Sequence, residues 1–142
     1  MSLAITIQLS PEAVAIARKW NRAPDEFPRA IKRGMDRSLQ IVSGRIQEKR
    51  LTGHGPFPKE EHRLGERTGQ LKLRTRATPA QITSTGQNAV VTGAIGSSVK
   101  YAAIHEFGGK HMPERAPFRT GIKENAQYIA DEIDKEIVKS LI

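Results

Sequence analysis

The chain has 142 residues, of which 37% are hydrophobic and 5% aromatic, a length that fits one domain with a modest core. It carries 23 Lys/Arg against 15 Asp/Glu and no cysteine, which excludes disulfides and thiolate chemistry. No apolar run approaches the roughly 20 residues that span a bilayer, and the first residues lack a signal-peptide core, so a soluble and initially cytoplasmic protein is expected.

The charge is uneven. Residues 1–80 hold 16 Lys/Arg against 8 Asp/Glu, whereas residues 81–142 hold 7 of each. A basic first half suits a surface that meets nucleic acid or an acidic protein.

Ala4 to Leu9 alternates, with Ile5, Ile7 and Leu9 on one side, and reads as a short strand. Ser10-Pro11-Glu12 is a helix start, with a hydroxyl cap and a proline in the first turn, and predicts a short helix to about Trp20. Ala23-Pro24-Asp25-Glu26 repeats the signal. From there Phe27, Ile31, Met35, Leu39, Val42 and Ile46 recur at spacings of three and four, opposite Arg29, Lys32, Arg33, Arg37 and Arg45. This predicts a long basic helix over roughly residues 25–50, about 38 Å at 1.5 Å per residue. Gly34 and Gly44 each cost such a helix about 1 kcal/mol relative to alanine. Close approach of another backbone is one reason to keep a glycine there; weak local selection is the other.

Residues 51–69 contain four glycines and two prolines among mixed charges, and predict a flexible loop. Leu71, Leu73 and Thr75 alternate with Lys72, Arg74 and Arg76, the pattern of a half-buried strand with a basic outer face. Further strands are expected at Gln81–Thr85 and Asn88–Ile95, joined by a turn at Thr85-Gly-Gln-Asn88, in an antiparallel meander. Ile122, Ala126, Ile129, Ile133, Ile137 and Leu141, widened by Ala130 and Val138, predict a C-terminal helix near 121–141. Glu124, Asp131, Glu132, Asp134 and Glu136 make it acidic, so the two long helices can pair or face neighbouring subunits. The fold class expected is α+β: an antiparallel sheet of about three to four strands packed with these two helices in a single domain, 1–142.

The adjacent His105 and Glu106 invite comparison with zinc-protease helices, but the next histidine, His111, is six residues on and beyond two glycines. Four histidines (His54, His62, His105 and His111) in this arrangement do not make a ligand pattern, so neither metal nor cofactor is expected. No nucleophile elbow or phosphate-cradling loop is present. Arg74, Arg76, Arg45 and Lys49 lack interleaved aromatics, which favours a solvated or subunit-facing basic surface over nucleic-acid binding. For Tyr101, His105 and Phe107 the local expectation is a helical turn burying two aromatics and ended by Gly108-Gly109 in a left-handed cap.

Three segments in order carry a resemblance. Leu64-Gly-Glu-Arg-Thr-Gly-Gln-Leu71, Tyr101-Ala-Ala-Ile-His-Glu-Phe-Gly-Gly109 and Pro113-Glu-Arg-Ala-Pro-Phe118 together resemble the virion-morphogenesis, or tail-completion, family of tailed bacteriophages and prophages. The third departs from that pattern: Ala116 separates Arg115 from Pro117, and Arg119 stands where a leucine is usual. The resemblance implies a non-enzymatic α+β subunit that joins a ring at the head–tail junction or tail end, a monomer in isolation being compatible with that role. It implies other neck or tail proteins as partners, the virion as final location and the host cytoplasm before assembly. It makes Thr68, Gly69, Leu71, Tyr101, His105, Phe107, Gly108, Gly109, Pro113, Arg115, Pro117 and Phe118 candidate assembly contacts. The alternative from the residues alone is a small basic nucleic-acid-binding protein.

Overall fold

A computed structural model describes residues 2–9, 26–65, 69–85 and 88–141. The expected helix from Ser10 to Trp20, Thr68 and the centre of the turn after Thr85 lie outside the described residues. The elements are β1 (Ser2–Leu9), α1 (Glu26–Arg50), a 3-10 turn (Lys59–Glu61), α2 (Gln70–Leu73), β2 (Thr75–Thr85), β3 (Asn88–Ser97), α3 (Ala102–Phe107), α4 (Pro117–Glu124) and α5 (Ala126–Leu141). The fold is α+β, with a three-stranded antiparallel sheet among the described residues. Its order is β1-β3-β2, so β2 and β3 form a hairpin and β1 pairs with the far side of β3, in place of the expected meander.

The chain resolves into two compact units: residues 4–39, 78–94 and 127–142 form one, and residues 1–3, 40–77 and 95–126 form the other. The first is a helix–sheet–helix unit. Its part of α1 buries Ala30, Ile31, Met35 and Leu39, as the stripe requires. Gly93 of β3 lies under that stripe. A Cβ there would stand 2.6 Å from both Met35 Sδ and Leu39 Cδ1, so the missing side chain lets the helix settle on the strand. Val91 is buried on the same strand, while Thr6 of β1 and Thr92 of β3 link their hydroxyls at 3.2 Å across the sheet.

Pro79 falls inside β2, which is an edge strand, where a missing N–H breaks no ladder. The alternation slips by one residue there: Thr75 and Ala77 turn inward before it, Ala80 and Ile82 after it. The Ala80 N–H donates to Asp36 Oδ1 on α1 at 2.6 Å. The Ala80 amide is therefore not free for another strand to pair with.

The two long helices meet in this unit at Gly34. A Cβ at Gly34 would lie 2.7 Å from the Ile133 Cα, so α5 crosses α1 backbone to backbone. Ile129 and Ile133 are buried as expected. Ala130 and Val138 do not widen the buried stripe; Glu132 and Glu136 do. The reason is electrostatic. Glu136 accepts from Arg33 Nε at 3.2 Å and lies 3.4 Å from Arg37 Nη1, so the basic face of α1 holds an acid at the helix junction.

In the second unit, residues Leu71 to Arg74 do not form the expected basic strand. They form α2, entered through Gly69 in the left-handed region at φ 76°, with Leu71 buried and Leu73 exposed. Gln47 of α1 explains how so short a helix persists: its Nε2 donates to Lys72 O at 2.7 Å and to Thr75 O at 3.1 Å. Thr75 Oγ1 adds a bond to Leu71 O at 2.6 Å. These side chains take carbonyls that a helix end leaves open. The expected helix near 121–141 is also two helices. Asn125 ends α4 by donating its amide to Gly121 O at 2.7 Å, and Arg45 Nη1 donates to Asn125 Oδ1 at 2.7 Å.

Paired glycine substitutions separate these effects. Gly44 has nothing within 4 Å of its would-be Cβ, so Gly44→Ala should stabilise by about 1 kcal/mol through helix propensity. Gly34→Ala should destabilise by about 1–3 kcal/mol, because overpacking against Ile133 outweighs that gain. Urea unfolding of both variants checks the opposite signs.

A second prediction concerns acid. The hydrogen bond from Arg33, opposed by burial and helped by Lys139 and Arg37, holds the Glu136 carboxyl below the ordinary carboxylate range. A depressed folded-state pKa contributes stability above the unfolded value, near 4.5, that is lost as pH falls through the folded value. Urea midpoints should therefore drop below about pH 4.5, and Glu136→Gln should make that decline shallower.

Candidate functional site

The second and third motif segments meet in the second unit. Residues Val99 to Tyr101 lead into α3 by a turn, with Ala102 N bonded to Val99 O at 3.2 Å. Two aromatics were expected to be buried here, but Tyr101 and Phe107 are 42% and 51% exposed. With Ile104, at 46%, they form one stripe along the outside of α3. The inward face carries Ala102 and Glu106 instead, both fully buried. Tyr101 packs edge-on against His105 at 5.6 Å between ring centroids, and the Arg119 guanidinium covers Phe107 at 4.9 Å.

Glu106 is buried because its carboxylate occupies the N-terminus of α4. Phe118 N donates to Oε2 at 3.0 Å and Arg119 N to Oε1 at 2.8 Å. Those amides have no partner inside the helix, and a helix N-terminus favours negative charge. Arg119 closes the arrangement from outside. Its Nε donates to Oε1 at 3.0 Å, and its Nη2 to the Glu106 carbonyl at 2.7 Å and to Glu114 Oε1 at 2.5 Å. The position where the resemblance leads one to expect leucine thus holds the cation that neutralises a buried acid.

Between α3 and α4 the chain makes a clamped corner. Gly108 N bonds to Ile104 O at 2.7 Å, and Gly108 takes the positive φ of the expected left-handed cap, 80°, but with ψ at 167° outside the left-handed helical region. A Cβ on Gly108 would lie 3.1 Å from Glu114 N, so the glycine is needed for both conformation and space. Gly109 and Met112 exchange backbone hydrogen bonds at 3.0 and 3.3 Å, making a tight reversal. Pro113 follows it, exposed. Arg115 N and Ala116 N then both donate to His105 O, at 3.0 and 3.3 Å. Ala116 sits in the left-handed region at φ 46°, and Pro117 opens α4 with Phe118 fully buried behind it.

Arg115 ties this corner to the loop after α1. Its Nη1 donates to Phe57 O at 2.7 Å and more weakly to Arg63 O at 3.4 Å, and His62 Nδ1 donates to the Arg115 carbonyl at 2.7 Å. Arg50 does the same from α1: although nearly buried, it bonds to Glu61 O and to the Glu124 carboxylate. Arg63 covers the Phe57 ring at 4.3 Å and donates to Thr52 O at 3.0 Å. Residues 51–65, expected to be a flexible loop, thus carry three arginine tethers.

A cleft of about 1330 Å³ opens between this loop, α2 and the start of α3. Of the candidate contacts, Gly69, Leu71, Tyr101, His105 and Arg115 line it. Phe107, Gly108, Gly109, Pro113, Pro117 and Phe118 belong to the corner beyond, and Thr68 lies outside the described residues. His105 is half-buried, and its Nδ1 has no hydrogen-bond partner among the described residues. Burial, and secondarily the positive charge of Arg115, lowers its pKa below 6.5. The adjacent His105-Glu106 pair suggests metal chemistry in sequence, yet Glu106 is a structural residue. Its carboxylate is committed to the α4 amides. Among the described residues no three His, Asp or Glu side chains come together as a metal site, and no helix is long and apolar enough to cross a membrane.

Removing the Glu106 carboxylate should be costly. Glu106→Ala strands the Phe118 and Arg119 amides at the start of α4, and should destabilise by about 2–4 kcal/mol in urea unfolding. A loss under about 1 kcal/mol would show that the helix end finds other partners.

No protein family, no curated protein and no solved structure matches this chain.

Proposed function

We propose that the protein is a structural subunit of tailed-bacteriophage assembly, acting in tail completion or head–tail joining. The observation that carries the reading is the order of the three motif segments, together with the joining of the second and third into one corner. The motif positions His105, Gly108, Arg115 and Phe118 make or require that corner's bonds, together with Glu106, which stands between His105 and Phe107. In this reading the corner is a rigid platform, and the exposed Tyr101, Ile104 and Phe107 stripe is the surface that a neighbouring virion protein covers. The protein joins other tail or neck proteins, with copies of itself arranged as a ring, and performs no catalysis.

The second reading, a nucleic-acid-binding protein, draws on charge: the unit that contains the corner carries 14 Lys/Arg against 7 Asp/Glu. Negative-stain microscopy of particles assembled without the protein decides for the first. Unjoined heads and tails, or tails of irregular length, are expected; normal virions would overturn it. Salt-dependent DNA binding weakened by Arg74→Ala with Arg76→Ala would favour the second.

A further inference from the structure

We infer that the cleft beside α2 and α3 binds an acidic peptide segment bearing apolar side chains, supplied by a partner protein. Size is the first reason. At about 1330 Å³ the cleft exceeds the roughly 300–1,000 Å³ usual for small-molecule sites, while a few residues of extended chain would fill it. The lining is the second. Leu51, Leu64, Leu71, Val99 and Met112, with the Phe57 and Tyr101 rings beside them, give it an apolar wall suited to the side chains of a peptide.

Charge then sets the sign of the occupant. Lys72, Arg74, Lys100 and Arg115 border the cleft, and no aspartate or glutamate stands among its described lining residues. Such a one-sided rim attracts carboxylates and rejects a basic segment. The rim also connects to a second feature. Tyr101 and Met112 belong both to the lining and to the exposed apolar set that continues along α3 through Ile104 and Phe107. An occupant leaving the cleft at Tyr101 would run onto that stripe, so pocket and patch form one continuous surface. Large exposed apolar patches with polar rims mark protein interaction sites. The buried, unpartnered Nδ1 of His105 in the cleft wall adds a polar group for a backbone or side-chain partner.

This goes beyond the virion reading and does not depend on it, since the cleft chemistry is the same whichever assembly supplies the segment. The test uses the purified full-length chain at low salt. Fluorescence anisotropy is measured with labelled twelve-residue peptides of alternating Leu-Glu, Leu-Lys and Ser-Glu, with decanoate as competitor. The Leu-Glu peptide should bind at least about tenfold more tightly than either of the others. Lys72→Glu combined with Lys100→Glu should reduce that binding about tenfold or more, whereas Lys110→Glu, outside the lining, should leave it within about twofold. Absence of Leu-Glu binding, equal binding of Leu-Lys, or indifference to the Lys72/Lys100 reversal would each overturn the proposal. Complete displacement by decanoate at concentrations below its micelle threshold would overturn it in favour of an amphiphile site. Circular dichroism of the charge-reversed variant verifies that it remains folded, as expected for two side chains outside the core.

Discussion

The buried Glu106 carboxylate is the interaction on which the rest of this corner depends. An unpaired buried charge costs several kcal/mol, and this one is kept because three donors converge on it. Two of them are amides that α4 must satisfy somehow, since a helix cannot bond its own first N–H groups. The third, Arg119, comes from the same helix turn and lies over Phe107. One side chain on α3 thereby fixes the start, direction and rotation of α4. The intervening reversal must then be short and sharp, which is why Gly108 has no room for a side chain and Ala116 tolerates φ 46°.

The same logic recurs in the way basic residues are used. Arg50, Arg63 and Arg115 each donate to main-chain carbonyls of residues 52–63, a segment whose regular structure is limited to the 3-10 turn at Lys59–Glu61. Arginine suits the task because its fork offers several donors in a fixed plane. Glu124, held below the ordinary carboxylate range by its hydrogen bond to Arg50 and by Lys49, completes that set from α4. Part of the positive surplus is thus structural, and Arg74 and Lys100, with Lys72 beside its ion-pair partner Glu48, give the cleft its field. In the other unit, charge serves the helix crossing: Gly34 permits the approach of α5, and Glu136 accepts the arginines that the crossing brings near.

The long helix was legible because its stripe from Ile31 to Ile46 obeys one period throughout, and Met35, Leu39 and Val42 between them are buried as well. Gly34 was legible as a choice between two causes, and the Ile133 Cα decides for close approach. Residues 71–76 were misread because four residues cannot distinguish alternation from a single helical turn. What settles them is Gln47, a tertiary partner 25 residues away from Lys72. The burial of Glu132 and Glu136 in place of Ala130 and Val138 was invisible to hydrophobic periodicity, which assigns acids to the outside. Glu106 was hidden for the same reason: a glutamate beside a histidine and two glycines suggests chemistry, while its role is set by a helix 12 residues further on. The cleft itself draws on four separate segments, and no sequence window contains it.

Amide hydrogen exchange followed by NMR tests the central claim most directly. Phe118 and Arg119 head a helix and would exchange quickly if only water satisfied them. With Glu106 as acceptor, both amides should be protected nearly as well as the core of α1, and Glu106→Gln should lower their protection selectively. Rapid exchange of both amides in the unmodified protein would contradict the account.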